Sequence, residues 1–201
     1  MHSLQYTKKL AWNDVLEEEK IMEWRNIVEQ YNSSHPIELD RSFGNRDDEY
    51  KLVACTDSSS CMYGAVIYLY NYKTKKYHFV LAKNRIINNC NAIKSVPSLE
   101  LMGILLGVNT LIDLKDELSG EKCVKPVKIC ELELFSDSYV ALKWVLNYNI
   151  DPSKQKHYSN LCKKYSINFQ FITGNDNPAD CITRVFSQRK LLKTSYLVKV
   201  Y

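Results

Sequence analysis

The chain carries seven cysteines but no Cys-x-x-Cys pair, which removes the usual zinc-binding and dithiol readings. Cys55, Cys61, Cys90, Cys123, Cys130, Cys162 and Cys181 are odd in number and scattered, and most lie in apolar runs where a thiol acts as a small hydrophobe. A disulfide framework is therefore not expected, and the reading is a reduced, intracellular protein. The start, Met1-His2-Ser3-Leu4-Gln5, lacks the apolar core of a signal peptide. The greasiest stretch, residues 99–114, holds Glu100, Asn109 and Asp113 and is short for a bilayer span, so no membrane anchor is expected. No internal repeat or low-complexity tract is visible, which argues against solenoid and linker-like architectures.

What is present suits one domain with an appendage. At 201 residues the chain can bury a sizeable core, and 45% apolar with 25% charged residues is the composition of a soluble globular protein. The net charge of +4 conceals an uneven spread. Residues 1–49 carry 6 Lys/Arg against 11 Asp/Glu, whereas residues 50–201 carry 21 against 12. The larger part thus offers a basic surface, which suits a polyanion.

Trp12 to Tyr31 has helical spacing, with Ile21, Trp24, Val28 and Tyr31 on one face, Asn13 or Asp14 as caps, and glutamates at its positive end. The polar, turn-rich stretch 33–49, with Pro36 and Gly44, predicts a boundary between a helical segment (1–49) and a domain (50–201). Strands are expected at 52–55, 63–70, 77–81, 128–135 and 167–172, the second and third forming an antiparallel hairpin. Helices are expected from Pro97 to about Leu118, from Ser138 to Leu146, up to Tyr165, and from about Ala179. The order βββ-α-β-α-α-β-α implies an α/β fold with a five-stranded mixed sheet between helices.

Four acids stand out against this pattern. Asp57 ends an apolar strand-like run, Glu100 sits in a greasy helix, Asp137 follows the fourth strand, and Asp180 opens the last helix. Singly, each has an ordinary explanation as a turn, cap, dipole-compensating or snorkelling residue. Jointly they are costly to desolvate unless paired or bound to a cation, and they point to a magnesium site.

The surrounding strings carry a resemblance. Thr56-Asp57-Ser58, Ser95-Val96-Pro97-Ser98-Leu99-Glu100-Leu101-Met102, Phe135-Ser136-Asp137-Ser138 and Asn177-Pro178-Ala179-Asp180-Cys181-Ile182-Thr183-Arg184 resemble the ribonuclease H domain of BEL/Pao-type LTR retrotransposon polyproteins. The resemblance spans about Tyr50 to Phe186 and implies an RNase H-like fold with an N-terminal helical extension. It implies a metal-dependent endoribonuclease that cuts the RNA strand of an RNA–DNA hybrid with two Mg2+ ions, Mn2+ being a substitute. Asp57 would bridge both ions, Asp180 would help hold the one that activates water, and Glu100 with Asp137 the one at the leaving group. Carboxylates without cysteine or histidine are the donors that magnesium prefers.

The implied partners are the hybrid and the reverse transcriptase domain of the same polyprotein, with no membrane and no small-molecule cofactor. The implied location is cytoplasmic or in virus-like particles, with possible nuclear access. A hybrid would be read through phosphates and 2′-hydroxyls. Ser58, Ser98 and Ser138 beside the acids, the basic Lys143, Lys154, Lys156, Lys163 and Lys164, and Arg184 one turn past Asp180 are the candidate contacts. The chain departs from many relatives in one respect: residues 173–179 contain no histidine. Two other readings stay open. One is a catalytically weak or inactive module with a structural or nucleic-acid-binding role. The other is a transposase or integrase-type nuclease, which usually places a glutamate where Asp180 stands.

Overall fold

The strand Glu49–Ser58 (β1) is longer than the apolar run 52–55 predicts, because it is bonded along its length on both sides. In this computed structural model, which describes residues 13–33, 42–87, 95–120, 123, 125–146 and 161–183, β1 is the centre of a five-stranded sheet. The other strands are Met62–Asn71 (β2), Lys76–Ile86 (β3), Lys128–Ser136 (β4) and Ile167–Phe171 (β5). Their order is β3-β2-β1-β4-β5. β1 runs antiparallel to β2 and β2 to β3, while β4 lies parallel to both β1 and β5. β3 reaches five residues beyond the predicted end, since Met62 pairs with Ile86 and the hairpin continues past its apolar half.

Alternation sorts the side chains of β1 onto two faces. Leu52 and Ala54 join Ile67, Leu134 and the apolar stripe of helix Val96–Ser119 (α2) in the larger core. Val53 and Cys55 join Val66, Tyr68, Phe135 and Ala179 in a second, smaller one. α2 begins with Pro97 in its first turn, where the missing N–H costs nothing, and stops at Gly120, whose N–H donates to the Asp116 carbonyl. At 24 residues it is long and apolar enough to cross a membrane, but Ile104, Val108 and Leu111 are fully buried in the first core.

Two shorter helices, Tyr139–Leu146 (α3) and Asp180–Thr183 (α4), and helical residues 161–165 complete this unit, with a 3₁₀ turn at Gly174–Asp176. The chain divides into compact units at Met1–Arg41 and Ser42–Tyr201. Residues 42–48 go with the sheet, because Asp48 accepts from the Asn71 side-chain amide at 3.0 Å and Tyr50 donates to the Asn45 carbonyl at 2.7 Å. The first unit contains helix Glu18–Asn32 (α1), none of whose residues is buried. It starts after Glu17 and not at the predicted cap Asn13 or Asp14, with Glu18 and Glu19 in its first turn against the positive helix end. Trp12, Lys154, Lys156 and Arg184 lie outside the described residues.

Candidate metal centre

Two glycines decide how closely α2 approaches the sheet. A Cβ on Gly107 would come 2.6 Å from Thr56 Cγ2, and one on Gly103 would come 3.0 Å from the backbone oxygen of Asp57. With hydrogen in both places, the helix lies directly against β1, and Glu100, one turn before Gly103, arrives at the end of the strand beside Asp57. The parallel pairing of β4 with β1 brings the third acid. Thr56 pairs with Ser136 and its hydroxyl donates to the Phe135 carbonyl at 3.2 Å, so Asp57 and Asp137 leave adjacent strands together. Ser138 caps α3, its Oγ accepting from Ala141 N–H at 3.3 Å, so the cap is Ser138 and not Asp137.

Asp57, Glu100 and Asp137 each present an oxygen, and these oxygens lie within 4.8 Å of one another. Asp57 is 2% and Glu100 9% exposed. Burial, opposed by the Thr183 hydrogen bond and reinforced by the charges of Asp137 and Asp180, pushes the Asp57 carboxyl up to about 6. A cluster of hard oxygen donors that repel one another's charge fits a divalent cation such as magnesium. Asp180 stands outside the 4.8 Å group, as the first residue of α4, near enough for its charge to act on Asp57.

The last segment approaches the centre in three places and is bonded to it in two. Asn177 donates its side-chain amide to the Thr56 carbonyl at 2.9 Å and accepts from Ala179 N–H at 3.1 Å, which pins the start of α4 to β1. Gly174 sits where a Cβ would come 3.1 Å from Asp137 Oδ2. Thr183 donates its hydroxyl to Asp57 Oδ2. Sequence reasoning missed Thr183, Gly103, Gly107 and Gly174. The Gly-x-x-x-Gly spacing on one helix face was a readable signal for two of them, whereas nothing local marks Thr183.

A family model described as the Pao retrotransposon-like RNaseH-like domain matches residues 1–138. The chain belongs to that family. The match ends one residue past Asp137, so Asp180 lies beyond it. No curated protein matches the sequence. Among solved structures, RNase H1 of Halobacterium salinarum is similar at 11% identity and a TM-score of 0.42, over 65% of this chain and 90% of that one. The N-terminal RNase H domain of a Mycobacterium tuberculosis protein is similar at 12% and 0.44, over 77% and 100%. A foamy viral protease-reverse transcriptase, solved in complex with dsDNA, is similar at 16% and 0.43, over 85% of this chain and 33% of that one.

The candidate nucleic-acid contacts of this Pao-type domain are arranged less tightly than its acids. Ser58 is buried next to Asp57, Ser98 is half-buried with its hydroxyl bonded to that of Ser95 at 2.8 Å, and Ser138 is engaged as the α3 cap. Lys143 is exposed on α3, its Nζ 5.2 Å from the Tyr139 ring centre. Lys163 and Lys164 are exposed on residues 161–165.

Proposed function

We propose that this domain is a metal-dependent ribonuclease H that cuts the RNA strand of RNA–DNA hybrids, acting beside the reverse transcriptase of a retrotransposon polyprotein. The observation that carries the reading is the convergence of Asp57, Glu100 and Asp137 at one end of the sheet in a chain of the Pao family. Asp57, Glu100, Asp137 and Asp180 would hold magnesium, or manganese in its place. Two cations held there would supply an activated water and charge relief at the leaving oxygen.

The chain's own groups do the rest. Asp57 stands at the end of the central strand, and parallel pairing brings it beside Asp137, 80 positions away. Asp57 and Glu100 are buried while Asp137 and Asp180 are half-buried, so the centre opens on the side of the latter two. Lys143, Lys163, Lys164 and Arg184 would neutralise phosphates along the hybrid, with Ser58, Ser98 and Ser138 offering hydroxyls near the scissile bond. Residues 173–179 lack a histidine, and the metal site as read here does not need one.

Cleavage of a labelled RNA–DNA hybrid in magnesium, comparing wild type with Asp137→Asn, tests this directly. The expected result is RNA-strand cutting that falls by about 100-fold or more in the variant, the scale of losing several kcal/mol of metal-supplied stabilisation. Salt-sensitive hybrid binding with no cutting by either protein would replace the enzyme reading with that of a binding module.

A further inference from the structure

Asp57 is the most deeply buried acid of the centre, and besides the Ser58 backbone N–H it accepts from a side chain 126 positions away, the hydroxyl of Thr183. Thr183 is 3% exposed, so bulk water does not stand in for its hydroxyl. The other acceptors in its reach, the Asp180 and Ala179 carbonyls, lie at 3.4 and 3.5 Å, near the limit of a hydrogen bond. The proton therefore goes to the Asp57 carboxylate, a charge-assisted bond of the stronger kind. Threonine, branched at Cβ, has few χ1 rotamers open to it in a helix, and the one adopted here aims the hydroxyl at Asp57.

The geometry has a consequence for the cation. A carboxylate that can spin about its last bond presents oxygens in many directions, whereas one with Oδ2 engaged presents them in few. Each oxygen retains a second lone-pair direction for a metal. The same helix carries Asp180 one turn earlier, so the Thr183 bond also ties the fourth acid to the first.

We propose that Thr183 is a positioning residue for divalent-cation binding, its hydroxyl orienting Asp57 and coupling it to the helix that bears Asp180. This rests on the metal-centre reading above. Partners that orient a ligand from behind typically change metal affinity by about 10- to 100-fold.

The test is calorimetric titration of magnesium chloride, and separately manganese chloride, into the full chain as wild type, Thr183→Val, Thr183→Ser and Asp137→Asn, with thermal unfolding in EDTA alongside. Thr183→Val keeps the shape and removes the donor, and is expected to bind the cation about tenfold or more weakly. Thr183→Ser keeps the donor and is expected to bind close to wild type. In an Asp57→Asn background, Thr183→Val should add no further loss. Where valine fails to fold, Thr183→Ala against Thr183→Ser makes the same comparison. Wild-type affinity in Thr183→Val, or equal losses in the valine and serine variants, would overturn the proposal while Asp137→Asn still abolishes binding. Absence of saturable binding in the wild type would overturn this proposal and the metal-centre reading together.

Discussion

Two buried carboxylates on neighbouring strands meet opposite treatment. Glu133 on β4 is 1% exposed and lies 2.6 Å from the Lys51 ammonium and 2.6 Å from the Gln170 amide. Asp57 on β1 is 2% exposed and has a hydroxyl donor, with Asp137 and Asp180 as charged neighbours that disfavour its ionised form. Val53 pairs with Glu133, so Asp57 stands four residues further along β1, about 13 Å. Over that distance the sheet passes from a charge neutralised by the chain's own lysine to a cluster of acids whose mutual repulsion favours an added cation. Placement of the counter-charge distinguishes a structural acid from a candidate ligand.

The largest effect should come from breaking the neutralised side. Lys51→Met leaves Glu133 buried without its cation and is expected to destabilise the domain by about 3–5 kcal/mol, read by urea unfolding. Removing both charges, as Lys51→Met with Glu133→Leu, should recover most of that loss. A cost in the single variant no larger than that of an exposed ion pair would mean that Glu133 is not held by Lys51.

Asp57 should respond to pH in the opposite sense to a salt-bridged carboxylate. Asp57 holds its proton to about pH 6 in the fold against 3.8 when unfolded, so between those values the native state binds more protons. Metal-free stability from this group therefore falls as pH rises from about 4 to 6, then levels, a change of about 3 kcal/mol at 1.36 kcal/mol per unit. Unfolding in EDTA across that range should show the slope in wild type and its loss in Asp57→Asn. At pH 7 without metal the asparagine variant should be the more stable protein while losing cleavage. A slope of the opposite sign would sink the view of Asp57 as an acid whose burial outweighs its hydrogen bonds.

A smaller effect should follow from separating α2 and β1. Gly103→Ala pushes against the Asp57 backbone, and Gly107→Ala against Thr56 and Leu134. Each is expected to cost about 1–3 kcal/mol of stability by overpacking. Gly103→Ala should also weaken magnesium binding, because α2 carries Glu100 away from Asp57. Unchanged binding would show that Glu100 reaches the cluster without the close approach.

The elements that were legible in the sequence were those with a strong local signature. The hairpin showed as two β-rich runs around 71–76, α2 as a 3.6-residue apolar period behind Pro97, and β4 as an alternating run before Asp137. The helix Glu18–Asn32 was legible as a helix but not in its start, because Asn13 and Asp14 are cap-type residues that the backbone does not use, the helix beginning after Glu17. The tail of β3, residues 82–86, was not legible. Its Lys83, Asn84 and Arg85 are polar, and only pairing with β2 makes them strand.

By itself the sequence determined the α/β order, the family, and three acids, Asp57, Glu100 and Asp137, that the fold brings together, since apolar periodicity and short strings record what each segment does alone. Tertiary structure decided which charges meet, pairing Lys51 with Glu133 and gathering Asp57, Glu100 and Asp137 at one end of the sheet. Lys51 and Glu133 are 82 positions apart and meet through parallel pairing, while Thr183 reaches Asp57 from an α4 that Asn177 ties to β1. Electrostatic energy depends on distances of a few ångströms between residues that the chain separates by many, and no local pattern encodes those distances.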